Sequence, residues 1–294
     1  MKFLSGFIAL VGPPNVGKST LLNLILGRKI AIVTPKPQTT RKRILGILHG
    51  DGFQMIFVDT PGIHKTKSTL HKSMVSSAQS AFGEVDIMAV MIEMPRPNPA
   101  ELDMIVAQLK RSKKPSVLII NKIDKGPRQN LLPIINTVKN RHPFKSIHPV
   151  SALSGEGMER LLEELKKMLR PGPAFFGPDT TTDQSEPFMI SEMIREKIYL
   201  RTRQELPYST AVTVSHIEED PEKKLLAVSA RIHVETESQK AILIGKGGTM
   251  IKNIGRDARK EMEIFFGLHV YLDLTVGVSK HWTKNPKVLR KLGY

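Results

Sequence analysis

Eight residues near the start of the chain, GPPNVGKS at 12–19, limit its possible folds more than any other feature. They follow the apolar run FIALV from Phe7 and open an apolar segment of helical period, STLLNLIL. A glycine-rich turn between a buried strand and a helix start presents backbone amides and the positive end of the helix dipole, an arrangement suited to phosphate. Gly12 and Gly17 let the loop wrap closely round a β-phosphate, and the amides of Asn15, Val16, Gly17 and Thr20 face it. Lys18 is placed to bridge the β- and γ-phosphates, and the Ser19 hydroxyl to ligate Mg²⁺. The pattern predicts a nucleoside triphosphate site.

Further short apolar runs lie downstream: QMIFVD from Gln54, DIMAVMIE from Asp86 and SVLIIN from Ser116, separated by segments of helical period. Continuous apolar runs bounded by turn residues suit strands buried on both faces, with helices as crossovers. Residues 1–170 are therefore expected to form an α/β domain with a mostly parallel sheet and flanking helices. At 294 residues the chain has room for two domains of roughly 150 residues each.

The ends of the later runs carry matching chemistry. Asp59, Thr60, Pro61 and Gly62 close QMIFVD, so Asp59 can hold a Mg²⁺-bound water and the Gly62 amide can touch a γ-phosphate. Asn121, Lys122 and Asp124 of NKID close SVLII. A carboxylate at Asp124 accepts hydrogen bonds from N1 and the 2-amino group of guanine, which adenine does not offer, so GTP is preferred over ATP. Ser151, Ala152 and Leu153 follow an apolar pair, Pro149 and Val150, where the Ala152 amide can read guanine O6.

At residues 171–187 the composition turns to Pro, Thr and acid without period, which reads as a linker. Beyond it the pattern runs helix, strand, strand, helix, helix, strand, an α+β unit expected over 188–280. Its last two helices are hinged at Ile244, Gly245, Lys246, Gly247 and Gly248. Glycines there let a nucleic-acid backbone approach, and Lys246, Lys252, Arg256 and Lys280 can hold phosphates. Residues 281–294 read as a basic tail whose Trp282 either stacks on RNA or packs on the final strand.

Lys and Arg exceed Asp and Glu by 16, a field that draws polyanions such as nucleic acid or an acidic membrane surface. Most of the surplus lies before residue 171. Zero cysteines argue against a disulfide scaffold and thiolate metal sites and fit a reducing cytosol. No apolar stretch approaches the roughly twenty residues of a membrane helix, so any membrane contact would be peripheral.

In order and spacing, GPPNVGKS, DTPG, NKID and SAL resemble the translation-factor-related small GTPases, and PQTTR at 37–41 resembles the switch I of the Era branch. The helix–strand order around GKGG resembles a type II KH domain. Together with the final LRKLGY, these features resemble the Era family over essentially the whole chain. The resemblance implies that Thr40 coordinates Mg²⁺ and senses the γ-phosphate, with Thr39 as the fallback. It implies a K⁺ ion near Asn15, and a monomeric GTP/GDP switch that binds the 3′ end of 16S ribosomal RNA and assists assembly of the 30S subunit. Ile63 and His64 stand where Ras-like enzymes place a water-orienting Gln, so slow intrinsic hydrolysis is expected. Gly277 stands where the family commonly carries Lys, which implies a weakened or shifted phosphate contact. A GTP-regulated peripheral membrane or cell-cycle signalling protein is the alternative, although lipid binding has no need of a backbone-clamping loop.

Overall fold

The computed structural model describes residues 2–37, 39–62, 85–95, 97–204 and 206–292. Two units divide it, residues 184–292 forming the core of the second, which Thr34–Lys36 join. In the first unit the four apolar runs become β1 (Leu4–Val11), β3 (Phe53–Asp59), β4 (Ile87–Glu93) and β5 (Ser116–Asn121). Two strands escape the sequence patterning: β2 (Ile44–Gly50), diluted by Gly46 and His49, and β6 (Ile147–Pro149), only three residues long.

The sheet order is β2-β3-β1-β4-β5-β6, with every neighbour parallel except the β2–β3 pair. Helices α1 (Lys18–Leu26), α2 (Pro99–Ser112), α3 (Leu131–Lys139) and α4 (Met158–Met168) accompany it. Central strands are sealed on both faces: Ile8, Leu10, Ile56, Val90 and Ile119 are all fully buried. The register sets Leu10 beside Asp59 and Glu93 beside Asn121, so the loops leaving β1, β3 and β5 emerge at one edge. Ligand sites of open parallel sheets form at that carboxyl edge.

The expected linker at 171–187 is corrected over most of its length. Arg170–Pro171 form β7, antiparallel to β1. The fully buried Gln54 side chain then accepts from the amides of Phe175 and Phe176 (2.8 and 3.1 Å) and donates to the Phe176 carbonyl (2.9 Å). Phe175 packs edge-on against Phe7, and the Ile47 amide donates to Thr181 O at 2.9 Å. The Pro- and Thr-rich segment covers the otherwise open β2 edge, a service that needs backbone groups and no periodicity.

The second unit runs α5 (Glu186–Arg201), β8 (Ala211–Asp220), β9 (Leu225–Val234), α6 (Glu237–Ile244), α7 (Thr249–Phe266), β10 (His269–Val278) and α8 (Pro286–Lys291). Its sheet order is β10-β9-β8, β8 antiparallel and β10 parallel to β9. Parallel pairing demands a crossover, which α6 and α7 supply. Ile254, Ala258 and Met262, four residues apart along α7, form its buried stripe. The described part of the basic tail is folded: Trp282 is fully buried and donates from Nε1 to Ser209 O at 3.0 Å, and the Asn285 side chain caps α8. This settles the two readings of Trp282 in favour of packing. Among the described residues no helix is long and apolar enough to cross a membrane.

Candidate functional site: a phosphate loop and a nucleic-acid groove

The loop between β1 and α1 turns at Asn15 (φ 61°) and Gly17 (φ 102°). Only glycine accepts the second angle without strain, and a Cβ there would also lie 2.3 Å from Asn121 Nδ2. Lys18, the first residue of α1, lies buried with Nζ donating to Gly12 O (3.0 Å) and Pro13 O (2.8 Å). Burial lowers its pKa to about 8, against the opposing pull of Asp59 and Glu101.

Three oxygens meet beside it. Ser19 Oγ donates to Asp59 Oδ2 at 2.6 Å and lies 2.9 Å from Thr40 Oγ1, which itself donates to Asp59 Oδ2 at 3.3 Å. Thr40 supplies a hydroxyl to this cluster. Burial pushes the Asp59 carboxyl up, partly offset by Lys18 and by the hydrogen bonds it accepts. Its Oδ1 is buried with no hydrogen-bond partner among the described residues. An orphaned carboxylate oxygen beside two hydroxyls is a hard-oxygen set of the kind Mg²⁺ takes, so these residues fit the ion. Gly62 approaches the loop closely, since a Cβ there would lie 2.7 Å from Pro14 N. Ile63 and His64, singled out for water activation, lie outside the described residues.

The guanine motifs are wired to this loop. Asn121 Nδ2 donates to Val16 O (2.8 Å), and its Oδ1 accepts from the Ala152 amide (2.9 Å), so one side chain ties three segments together. The Ala152 amide expected to read guanine is thus engaged within the protein. Lys122, at φ 63°, donates from Nζ to Asn15 O at 2.7 Å and pairs with Glu93. Asp124 Oδ1 accepts from Ser151 Oγ at 2.6 Å, while Leu153 stands exposed. The sequence reading missed Glu93. The available signal is a carboxylate ending the apolar run DIMAVMIE, at the site edge of a buried strand. Replacing Asn121 by Ala is expected to lower stability by about 2–4 kcal/mol, because Val16 O and the Ala152 amide both lose a buried partner. Thermal melting of the nucleotide-free variant checks this.

In the second unit the GKGG loop makes a single 3₁₀ turn, Lys246–Gly248, before α7. Gly245 (φ 71°) leaves α6, and a Cβ there would meet Met250 at 2.8 Å. Gly245, Lys246, Gly247 and Gly248 thus bring the chain tightly round to the start of α7, with Ile244 half-buried behind them. From there α7 and β10 wall a groove of about 390 Å³, its floor formed by Ile251, Leu272 and Leu274 and its rim by Lys252 and Arg256. An apolar floor with a cationic rim suits unstacked bases and their phosphates. Arg256 also donates to Asn253 at 3.0 Å, and Lys280 is exposed just beyond β10.

Fold and sites define a P-loop GTPase joined to a KH domain, and the family models agree: residues 7–122 match a "50S ribosome-binding GTPase" and residues 205–283 a KH domain. Over 292 residues the chain is 51% identical to the GTPase Era of Syntrophus aciditrophicus, covering 99% of this chain and 95% of that protein. A crystal structure of an Aquifex aeolicus Era variant bound to GDP and aluminium fluoride superposes with a TM-score of 0.95 at 40% identity, covering 100% of this chain and 99% of that one. A second, Era in complex with MgGDPNP and nucleotides 1506–1542 of 16S ribosomal RNA, matches with a TM-score of 0.95 at 39% identity over 99% of each chain. The chain belongs to the Era family of GTPases.

Proposed function

We propose that this protein is a GTP-hydrolysing switch that binds small-subunit ribosomal RNA near its 3′ end and assists maturation of the 30S subunit. The observation that carries the reading is the groove between β10 and α7, the helix that starts directly after GKGG, on the same chain as the Ser19–Asp59–Thr40 cluster. The relative solved with an RNA of that kind supports the choice of partner.

In this reading the loop amides and Lys18 hold the β- and γ-phosphates, and the buried Lys18 ammonium faces charge that grows on the phosphoryl oxygens during in-line attack by water. Ser19, Thr40 and Asp59 are the residues that would hold Mg²⁺, and the ion would neutralise the phosphate charge. Thr40 carries the nucleotide state outward: its hydroxyl meets Ser19 and Asp59 by itself, a bound ion and γ-phosphate would draw it into their own contacts, and their loss shifts the segment on which it lies. Asp124 selects guanine, and Asn121 and Lys122 keep the guanine loops in register with the phosphate loop. With Ile63 where a water-orienting amide would stand, intrinsic turnover is slow and depends on an added partner.

Filter binding with a single-stranded RNA of the small-subunit rRNA 3′ end tests the RNA half. Wild type is expected to bind it more tightly than a scrambled RNA of equal length. Equal affinity for both would reduce the groove to a non-specific cation surface.

A further inference from the structure

The sheet of the second unit has one face covered by helices and one open face. On the open face the register aligns Thr213, Arg231 and Thr275 in one row and Ala211, His233 and Gly277 in the next. Arg231 is exposed, and its guanidinium stays beside the neighbouring strand. It lies across Gly277: a Cβ on that glycine would fall 2.2 Å from Arg231 Nη2, 2.3 Å from Nε and 2.6 Å from Cζ. Gly277 itself is buried beneath it.

This guanidinium makes no hydrogen bond or ion pair among the described residues. Other arginines of the same unit are engaged: Arg201 pairs with Asp257, Arg195 with Glu192, and Arg259 lies 3.9 Å from Glu263. Asp273 stands on the same open face, one row beyond Thr275, and does not pair with Arg231. A cation with its donors unspent, laid over a residue that has no side chain, is an anion site in waiting.

Its place along the strand names the anion. Helix α7 starts directly after GKGG and runs against β10, where a Cβ on Gly255 would fall 3.4 Å from the Leu274 side chain. The end of β10 beyond Leu274, which holds Gly277 and leads to the exposed Lys280, is therefore the GKGG end. Arg231 reaches the outer strand of the sheet there from the face opposite the groove. We infer that Arg231 is a further RNA contact, holding a backbone phosphate of a strand that leaves the groove and turns round the edge of β10. The inference rests on the RNA-binding reading above.

The test compares wild type, Arg231→Gln, Arg231→Lys, Gly277→Ala and Lys246→Ala in the full chain. The readout is the affinity for the single-stranded rRNA 3′ end as a function of KCl concentration, with melting curves alongside. One lost phosphate contact on a single strand lowers the slope of log K against log salt by about 0.7. Arg231→Gln is expected to show that loss and to weaken binding about three- to tenfold at low salt. Arg231→Lys should keep the slope. Gly277→Ala, which displaces the guanidinium without removing it, should fall between the two. Turnover of GTP without RNA should stay at the wild-type level in Arg231→Gln, Arg231→Lys and Gly277→Ala.

If Lys246→Ala weakens binding while Arg231→Gln leaves affinity and slope unchanged, the Arg231 contact is wrong and the groove reading stands. If neither variant weakens binding, both fall. A loss of affinity in Arg231→Gln with an unchanged slope and a lowered melting temperature would make Arg231 a purely structural residue. Reduced binding to phosphatidylglycerol vesicles with RNA affinity unchanged would assign it to a membrane instead.

Discussion

Replacing Lys18 by Met is expected to lower GTP turnover by about 10³-fold, the scale of losing a preorganised charge at a developing oxyanion. The melting temperature should stay close to that of wild type, because Met fills the buried stem and the removed ammonium is already disfavoured by burial. Wild type carries a second signature. With a pKa of about 8 in the free protein, Lys18 is charged below that pH and neutral above it. Nucleotide phosphates favour the charged form, so above about pH 8 binding takes up a proton. Affinity for GTP should then fall as pH rises, by up to about tenfold per unit. Calorimetric titration in buffers of different ionisation enthalpy measures that proton directly, and the Lys18→Met variant should take up none.

Asp124→Asn should cost GTP affinity by at least about 10²-fold and raise affinity for the xanthosine nucleotide, which carries an oxygen where guanine has its 2-amino group. The contact with Ser151 Oγ, 2.6 Å in the wild type, survives in the variant because asparagine keeps a side-chain oxygen. A loss of GTP binding without the gain for xanthosine nucleotide would mean that Asp124 supports the loop and does not read the base. Competition between the two nucleotides against a fluorescent guanine analogue distinguishes these outcomes.

The parts of the nucleotide site that were legible in the sequence are those in which neighbouring residues do one job. The residues of GPPNVGKS act within a single turn, and Asp59 and Asp124 each sit at the end of an apolar run that marks its strand. What stayed hidden depends on partners far along the chain. Asn121 reads as a guanine ligand, whereas the fold also uses it as a strut to Val16 and Ala152, a tie that requires β1, β5 and the loop at 151–153 to be assembled first.

Composition misled in two places. The segment after residue 171 has the Pro, Thr and acid content of a linker, but its backbone groups find Gln54 and the β2 edge, and hydrogen bonding of that kind leaves no periodic trace. The tail has the charge of an RNA arm, yet it folds because Trp282 finds a buried slot and a carbonyl at Ser209. Arg231 sat unnoticed in an ordinary alternating strand. Its meaning comes from the glycine across the ladder, and strand pairing is the step that sequence pattern resolves least well.

The claim that nucleotide state controls RNA binding is tested most directly by the affinity for the single-stranded rRNA 3′ end measured with a non-hydrolysable GTP analogue, with GDP and with no nucleotide. Coupling between two sites of one chain commonly amounts to about 5- to 150-fold. Affinity with the GTP analogue should differ from the GDP and nucleotide-free values by at least about fivefold, and Thr40→Ala should abolish the difference. Identical affinity in all three states would contradict the account and leave a GTPase and an RNA-binding module that share a chain without communicating.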